Sequence, residues 1–440
     1  MLKESISGVR GIVGEGLTPE LILRYCAAFA KILGDGAVLV ARDSRPSGRA
    51  IAKLVNSALQ LAGRDVVDIG VQATPTAEIA VKTLDCAGGI VITASHNPAE
   101  WNALKFIDNG GIFLDGKGFE RLRSAMVNEP RWAKFDKVGG YILNEKAVEY
   151  HLDRILRLPF MDYEAIRARK FRVVLDANGG TGAIAALPLL EHLNCEIFEL
   201  NCDPDGVFRH GAEPTPENLA SLERAVVENS ADIGLATDPD ADRLALVDET
   251  GKAIGEEFTL ALGVAEAIEH SPGTVVVNLS TSAMVESLGV PVIRTPVGEI
   301  NVTKKMLELD SPAGGEGNGG LIIPACHPCR DGILAVAVVL NRLTRKGIPL
   351  TQAIEEFPKL TMIKTKISFD GTFDKEMTET ILRALSPEKI DAADGIRLTW
   401  ADKWVHVRAS NTEPILRIIA EAENLCEAQK LVESVRSTLA

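Results

Sequence analysis

Short apolar runs of strand length alternate with stretches of helical spacing through most of the chain, and this alternation restricts the fold most. It indicates α/β architecture. Ala37–Ala41 reads as a strand, Gly48–Leu61 as a helix, Val66–Ile69 as the next strand and Thr76–Thr83 as a short helix. A polar helical stretch from about Asn144 to Arg169 bridges to a second unit, which opens with the strand Phe171–Leu175. That unit continues through Asn178-Gly179-Gly180-Thr181-Gly182 into a helix ending near His192. A third unit starts near Gly255, with a helix through Glu269, the strand Thr274–Leu279, another helix and the apolar helix Asp331–Leu343. From Leu360 the texture changes to alternating runs (Met362–Phe369, Gly395–Thr399, Trp404–Arg408, Ile415–Glu421) before a helix over Cys426–Thr438. That pattern predicts a small α+β domain with an antiparallel sheet. The 440 residues thus divide at 1–150, 151–254, 255–359 and 360–440, a count that suits domains of ordinary size.

Composition narrows the partners. Hydrophobic residues at 46% and charged residues at 25% are ordinary globular values. A net charge of −14 repels polyanions, so neither nucleic acid nor a membrane surface is an expected partner. An anionic substrate must then be drawn in by a local cluster of Arg and Lys. The segment MLKESISGVRGIVGEG lacks the apolar core of a signal peptide, and no apolar run reaches membrane-spanning length. Seven cysteines at irregular positions predict reduced thiols and a cytoplasmic location. Cys326-His327-Pro328-Cys329 has ligand-like spacing but no second pair, so structural thiols are the expectation there.

A weak internal repeat accompanies the alternation. In each of the first three units a Gly-containing apolar run leads into a polar loop, and a second apolar run follows. The loops are Ser95–Trp101, Asp238–Asp242 and Gly314–Gly319, and function in equivalent loops is what such a repeat predicts. In GGIVITASHNPAEWNALKFI (88–107), Ser95 ends a buried strand, with His96 beside it and Lys105 in the next run. A hydroxyl so placed has the layout of an activated nucleophile. Asp238-Pro239-Asp240-Ala241-Asp242-Arg243 carries three carboxylates that converge on one cation if the chain curves tightly, and hard oxygens suit Mg²⁺. A calcium loop of the EF-hand type needs Gly at the sixth position, where this loop has Arg243.

Gly314-Gly315-Glu316-Gly317-Asn318-Gly319-Gly320 is too glycine-dense for regular structure, and its Glu316 and Asn318 can bond sugar hydroxyls. Arg408-Ala409-Ser410-Asn411-Thr412-Glu413-Pro414 concentrates donors suited to a phosphate. Arg10, Arg42, Arg45 and Arg49 add possible anion contacts.

TASHNP, DPDADR, GEGNGG and RASNTEP occur in the order and at the spacing of the α-D-phosphohexomutase superfamily, which the chain resembles over essentially its whole length. The resemblance implies three related α/β domains with mixed sheets around a central cleft, plus a C-terminal α+β domain like a TATA-binding-protein fold. It implies a phosphohexomutase that exchanges a 6-phosphate for a 1-phosphate through a phosphoserine and a bisphosphorylated hexose, the latter both intermediate and activator. Ser95 is then the phosphorylated serine, with Lys105, Arg10, His96 and Arg243 around it. Ser95, Asp238, Asp240 and Asp242 hold one Mg²⁺. Glu316, Asn318 and Glu299 face the sugar, and Arg408, Ser410, Asn411 and Thr412 bind the phosphate that is not reacting. The partner implied is a hexose phosphate, and the enzyme is a monomer or a homodimer.

Two departures stand out: Gly320 and Glu299 occupy positions where many members carry His. These departures and the length resemble phosphoglucosamine mutases of the archaeal type most, with phosphomannomutase and phosphoglucomutase as alternatives. A phosphosugar-binding or phosphatase-like protein is the alternative of a different class. Glu299 is expected either to pair with a protonated 2-amino group of the sugar or to stand as a helix N-terminal acid.

Overall fold

The computed structural model describes residues 2–127, 129–369, 373–409 and 415–439. Four sheets follow one another along the chain. The first has seven strands, in the order Leu2–Ser5, Gly8–Ile12, Trp101–Ile107, Gly88–Ile92, Val38–Arg42, Val66–Val71, Tyr141–Leu143. Val38–Arg42 runs parallel to Gly88–Ile92 and Val66–Val71, while Gly88–Ile92 and Trp101–Ile107 are antiparallel. The second sheet orders Leu244–Val247, Ile233–Thr237, Arg172–Asp176 and Glu196–Leu200, with only the first pair antiparallel. The third orders Val292–Thr295, Val275–Asn278, Gly314–Glu316 and Gly320–Ile322, with only the last pair antiparallel. The fourth is a five-stranded antiparallel sheet, Thr361–Ser368, Ile415–Ala422, Trp404–Ala409, Ile396–Thr399 and Lys389–Asp391. Three mixed α/β sheets and a C-terminal antiparallel one make up the architecture.

The three mixed sheets repeat one device. A buried strand ends in a polar loop, and the chain returns antiparallel beside it: Gly88–Ile92 to Trp101–Ile107, Ile233–Thr237 to Leu244–Val247, Gly314–Glu316 to Gly320–Ile322. The polar loops lie between well-packed strands, which fixes where their side chains stand. The sequence reading of Gly314–Gly320 as irregular is corrected here, because both ends of the run are strands. Gly315 sits at φ +143, and a Cβ there would lie 2.1 Å from the Gly320 carbonyl oxygen. The glycines therefore allow a close backbone approach that any side chain would block.

Helices cover the sheets for ordinary reasons. Gly48–Leu61 buries Ile51, Val55, Ala58 and Leu59 at helical spacing while Arg49 and Lys53 face solvent. Gly332–Lys346 is buried almost all round, and its Ile333, Val336 and Leu340 share one apolar cluster with Leu189, Ile233 and Leu260. The second and third units are thus fused through a common core. The fourth unit has its own, built from Ile381, Leu398, Val407, Ile418 and Val435.

A buried chain of three side chains joins the first three units. Thr76 Oγ1 is 2.8 Å from His151 Nδ1, and His151 Nε2 is 2.7 Å from Asp331 Oδ2. Asp331 Oδ1 meanwhile caps the helix Gly332–Lys346 by accepting from the N–H groups of Ile333 and Leu334, both at 2.9 Å. The bridge expected over 144–169 is two helices, Ala147–Leu156 and Tyr163–Arg169, and it supplies this histidine. Among the described residues no helix is long and apolar enough to cross a membrane.

Candidate active site

A single cavity of about 890 Å³ opens between all four units, and Ser95, Arg243, Glu316 and Arg408 line it from one unit each. Ser95 stands at its floor, 4% exposed, near the start of the loop that follows Gly88–Ile92. Its φ is +48, a left-handed conformation that costs a serine roughly 1–2 kcal/mol. The backbone is held there from two sides. Ser95 N–H donates to Thr93 Oγ1 at 2.9 Å, and Arg45 Nη2 donates to the Ser95 carbonyl at 2.8 Å and to the Asn97 carbonyl.

Arg45 was expected as an anion contact, and its geometry corrects that reading. Its remaining donors go to Asp43 Oδ2 at 2.8 Å and the Trp101 carbonyl at 3.0 Å, and Phe208 covers its face. A fully buried guanidinium with this many partners cannot take an anion; it is a pin for the serine loop. Arg42 and Arg49 do not line the cavity either. Arg10 does, and donates to Asn97 Oδ1 at 2.6 Å.

The carboxylates stand opposite the serine. Ser95 Oγ donates to Asp238 Oδ2 at 3.1 Å, and His96 Nδ1 lies 3.4 Å from the same hydroxyl. Asp238, Asp240 and Asp242 are fully buried, and each offers an oxygen within 4.8 Å of the other two. The tight curve comes from Ala241 at φ +54. Backbone bonds brace it from three units: Thr74 N–H to the Asp240 carbonyl at 2.9 Å, Thr181 N–H to the Pro239 carbonyl at 2.9 Å, Gly332 N–H to the Ala241 carbonyl at 3.1 Å.

The donor set fits a hard divalent cation. Asp240 Oδ2 is taken by Lys105 Nζ and Thr74 Oγ1, both at 2.7 Å, and Asp242 Oδ2 by Arg330. The other oxygens, Asp240 Oδ1 and Asp242 Oδ1, are buried without a hydrogen-bond partner. Two buried carboxylate oxygens without a hydrogen-bond donor, in a cluster whose Asp238 accepts from the serine hydroxyl, are what an oxygen-seeking cation requires.

Electrostatics agree with this picture. Burial, then Asp242 and Asp240, push the Asp238 carboxyl well above the usual carboxylate range. Burial acts the same way on Asp240, yet Lys105 overrides it and holds Asp240 well below that range. Burial and the neighbouring Arg243 push His96 down to about 3, so its imidazole is neutral and accepts from Arg243 Nη2 at 3.1 Å. Arg243 is anchored in turn by Glu213 at 2.7 Å. Glu213 was missed in the sequence, where nothing in GAEPTPEN announces an ion pair with a residue thirty positions on.

From the third unit, Glu316 Oε1 accepts from Asn278 Nδ2 at 2.8 Å and Gly298 N–H at 2.9 Å, while Oε2 accepts from Arg330 at 2.8 Å. Asn318 also lines the cavity, and its Oδ1 is buried without a partner. Glu299 begins the helix Glu299–Leu309, but its carboxylate is not a free charge in the cleft. It stands at the helix N-terminus and accepts from Arg330 N–H at 2.9 Å and Nε at 3.2 Å, in an internal ion pair. Arg330 was missed because Cys329-Arg330-Asp331-Gly332 reads only as the start of a helix. Arg408 closes the cavity from the fourth sheet, 9% exposed, with Nε buried and unpartnered. Ser410, Asn411 and Thr412 lie outside the described residues. Cys326 and Cys329 are buried free thiols.

Comparison with known proteins matches this geometry throughout the chain. Four consecutive models of the phosphoglucomutase/phosphomannomutase family match it: α/β/α domain I over 2–130, domain II over 149–251, domain III over 258–360 and the C-terminal domain over 374–438. A protein named "probable phosphoglucosamine mutase" from Methanopyrus kandleri is 38% identical, with 97% of this chain and 95% of that protein covered. A "phosphoglucomutase/phosphomannomutase" from Thermococcus kodakarensis is 35% identical, covering 97% and 96%. Among solved structures, a phosphoglucomutase/phosphomannomutase family protein from Burkholderia thailandensis superposes with TM-score 0.85 at 25% identity, over 100% of this chain and 98% of that one. An N-acetylphosphoglucosamine mutase from Aspergillus fumigatus, in complex with GlcNAc-6P and magnesium, shares the fold at TM-score 0.59 and 15% identity, over 99% and 95%. With four family domains in order around one serine-and-aspartate site, the chain is a phosphohexomutase and belongs to the α-D-phosphohexomutase superfamily.

Proposed function

We propose that the protein interconverts hexose 6-phosphate and hexose 1-phosphate through a phosphoserine at Ser95, with glucosamine phosphate as its preferred sugar. The observation that carries the mechanism is the contact between Ser95 Oγ and Asp238 Oδ2 at 3.1 Å, at the floor of a cavity walled with cations. A phosphorylated Ser95 gives its phosphoryl group to the free hydroxyl of a bound hexose monophosphate. The Ser95 Oγ–P bond breaks, a P–O bond to the sugar forms, and the hydroxyl proton ends on Ser95 Oγ. The resulting bisphosphate turns over in the cavity and returns its other phosphoryl group to Ser95, with the bonds and the proton exchanged in reverse.

Such a transfer depends on positioning and charge stabilisation. Each phosphate brings about −1.5 to −2 charges at neutral pH. Arg10, Lys105 and Arg243 line the reacting end, and Arg408 lines the opposite wall for the phosphate at rest. Lys105 stays protonated, because Asp240 outweighs its burial and raises its pKa. Asp238, Asp240 and Asp242 with the phosphoserine would hold a Mg²⁺, which when bound neutralises charge on the transferring group. A hexose bisphosphate primes Ser95 for the first turnover.

The amino-sugar preference is supported by the name of the Methanopyrus relative and by the carboxylates Glu256, Glu257 and Glu316, which line the cavity. A 2-ammonium group is favoured by that negative wall over a neutral hydroxyl. The second reading, phosphoglucomutase or phosphomannomutase activity, is favoured by the name of the Thermococcus relative. Coupled assays with glucosamine, mannose and glucose phosphates decide between them. The expected result is the highest kcat/KM for glucosamine phosphate; a higher value for either neutral sugar assigns that sugar instead, and release of free phosphate without isomerised sugar rejects the mutase cycle.

A further inference from the structure

Arg330 touches three functional carboxylates at once. Its Nη2 donates to Asp242 Oδ2, its Nη1 to Glu316 Oε2 at 2.8 Å, and its Nε to Glu299 Oε2 at 3.2 Å. Its backbone N–H also donates to Glu299, Oε1 at 2.9 Å, so Glu299 grips both ends of the residue. The residue is 8% exposed and its side chain lies against Gly320, where a Cβ would stand 2.4 Å from Arg330 Cδ. A side chain at 320 would displace the aliphatic stem of Arg330. Asp242 is left with one oxygen, Oδ1, that has no hydrogen bond and lies 3.7 Å from Arg243 Nε, and the other oxygen of Glu316 is fixed by Asn278 and Gly298.

We propose that Arg330 is a positioning residue that locks the cation-facing Asp242 to the sugar-facing Glu316, with Glu299 as its anchor and Gly320 kept bare to make room for it. The proposal rests on the mutase reading and on Asp242 and Glu316 serving cation and sugar. A planar guanidinium has donors at fixed angles, so three carboxylates bound to it cannot move independently. Metal ligands need such outer partners to hold their lone pairs on target. A displacement of Glu316 is therefore felt at Asp242, and the cation site is aligned for transfer only when the sugar wall is in place. The role assigned to Glu299 is equally specific. It reads Arg330 and not the sugar, so its removal weakens turnover on every hexose phosphate alike.

The test is steady-state kinetics of the full-length enzyme, with hexose phosphate and Mg²⁺ each titrated and melting followed in parallel. Arg330→Lys keeps a buried cation but loses the fork. The expected result is a kcat at least tenfold lower, a smaller change in KM and a several-fold change in the Mg²⁺ activation constant, while a cooperative melt persists. Gly320→Ala leaves every charge in place and crowds Arg330, so it serves if the lysine variant does not fold, and it should give the same kinetic signature. Combined with Arg330→Lys its effect should be much less than additive, because both act on one contact. Glu299→Gln should lower kcat by a similar factor on glucosamine and glucose phosphates. Wild-type kcat and Mg²⁺ constant in both Arg330→Lys and Gly320→Ala would overturn the proposal, as would full additivity or a loss for Glu299→Gln confined to the amino sugar. A wild-type protein that fails to isomerise any hexose phosphate in the same assay defeats the mutase reading instead.

Discussion

Ser95 and Ala241, the residues at the turning points of the serine and aspartate loops, both carry positive φ angles without being glycine, +48 and +54. Strain held at a reacting position persists only where its surroundings over-determine it. For Ser95 those surroundings are Thr93 and Arg45, and for Ala241 they are backbone bonds from neighbouring units. Ser95→Ala should therefore abolish turnover and leave the melting temperature nearly unchanged. Arg45→Lys should lower kcat by roughly 10- to 100-fold, since a small displacement of the nucleophile carries that cost. Near-normal turnover in the lysine variant would show that the loop holds its shape unaided. The serine and aspartate loops stood out in the sequence because TASHNP and DPDADR are polar islands between apolar runs. The pinning role of Arg45 did not, because most of its partners are carbonyl groups some fifty residues away and no local pattern encodes them.

At the level of elements, the strand–loop–antiparallel strand device explains both what was readable and what was misread. Two of its copies are framed by β-branched and leucine-rich runs, and the third, Gly314–Ile322, hides its strands in glycine because Val276 and Gly320 approach its backbone to contact. Element boundaries followed composition closely elsewhere; the strand read as Ala37–Ala41 is Val38–Arg42. The element with the heaviest structural burden is the helix Gly332–Lys346, whose N-terminal Asp331 both caps it and holds His151. Asp331→Ala loses a cap worth about 1 kcal/mol and leaves a buried imidazole short of a partner, about 1–3 kcal/mol more. Asp331→Asn keeps an oxygen for the cap and should lose distinctly less. Urea unfolding of the two variants checks this; equal losses would mean that the Asp331 cap contributes nothing to stability.

On the scale of the whole molecule, the net charge of −14 and an anionic substrate are reconciled by segregation: Arg10, Lys105, Arg243, Lys364 and Arg408 line one cavity fed by all four units. The order and kind of the units were legible from texture, but their docking was not, since it rests on pairs such as Thr74–Asp240 and Lys364–Glu256 that join distant segments. Arg408→Ala should raise KM and lower kcat together, because that wall must hold the sugar phosphate in both orientations. Chelation should abolish activity, with Mg²⁺ restoring it. Asp240→Asn should cost on the order of 10²-fold or more in kcat through lost charge stabilisation. An enzyme indifferent to chelator would remove the cation role from all three aspartates. The central claim, that Ser95 carries the phosphoryl group through the cycle, is tested most directly by labelling the enzyme with a phosphoryl-labelled hexose bisphosphate and mixing it rapidly with unlabelled hexose monophosphate. The account predicts label on the Ser95 peptide that passes to hexose bisphosphate at least as fast as kcat. Label that stays on Ser95 while sugar phosphates isomerise, or that leaves only as free phosphate, would contradict it.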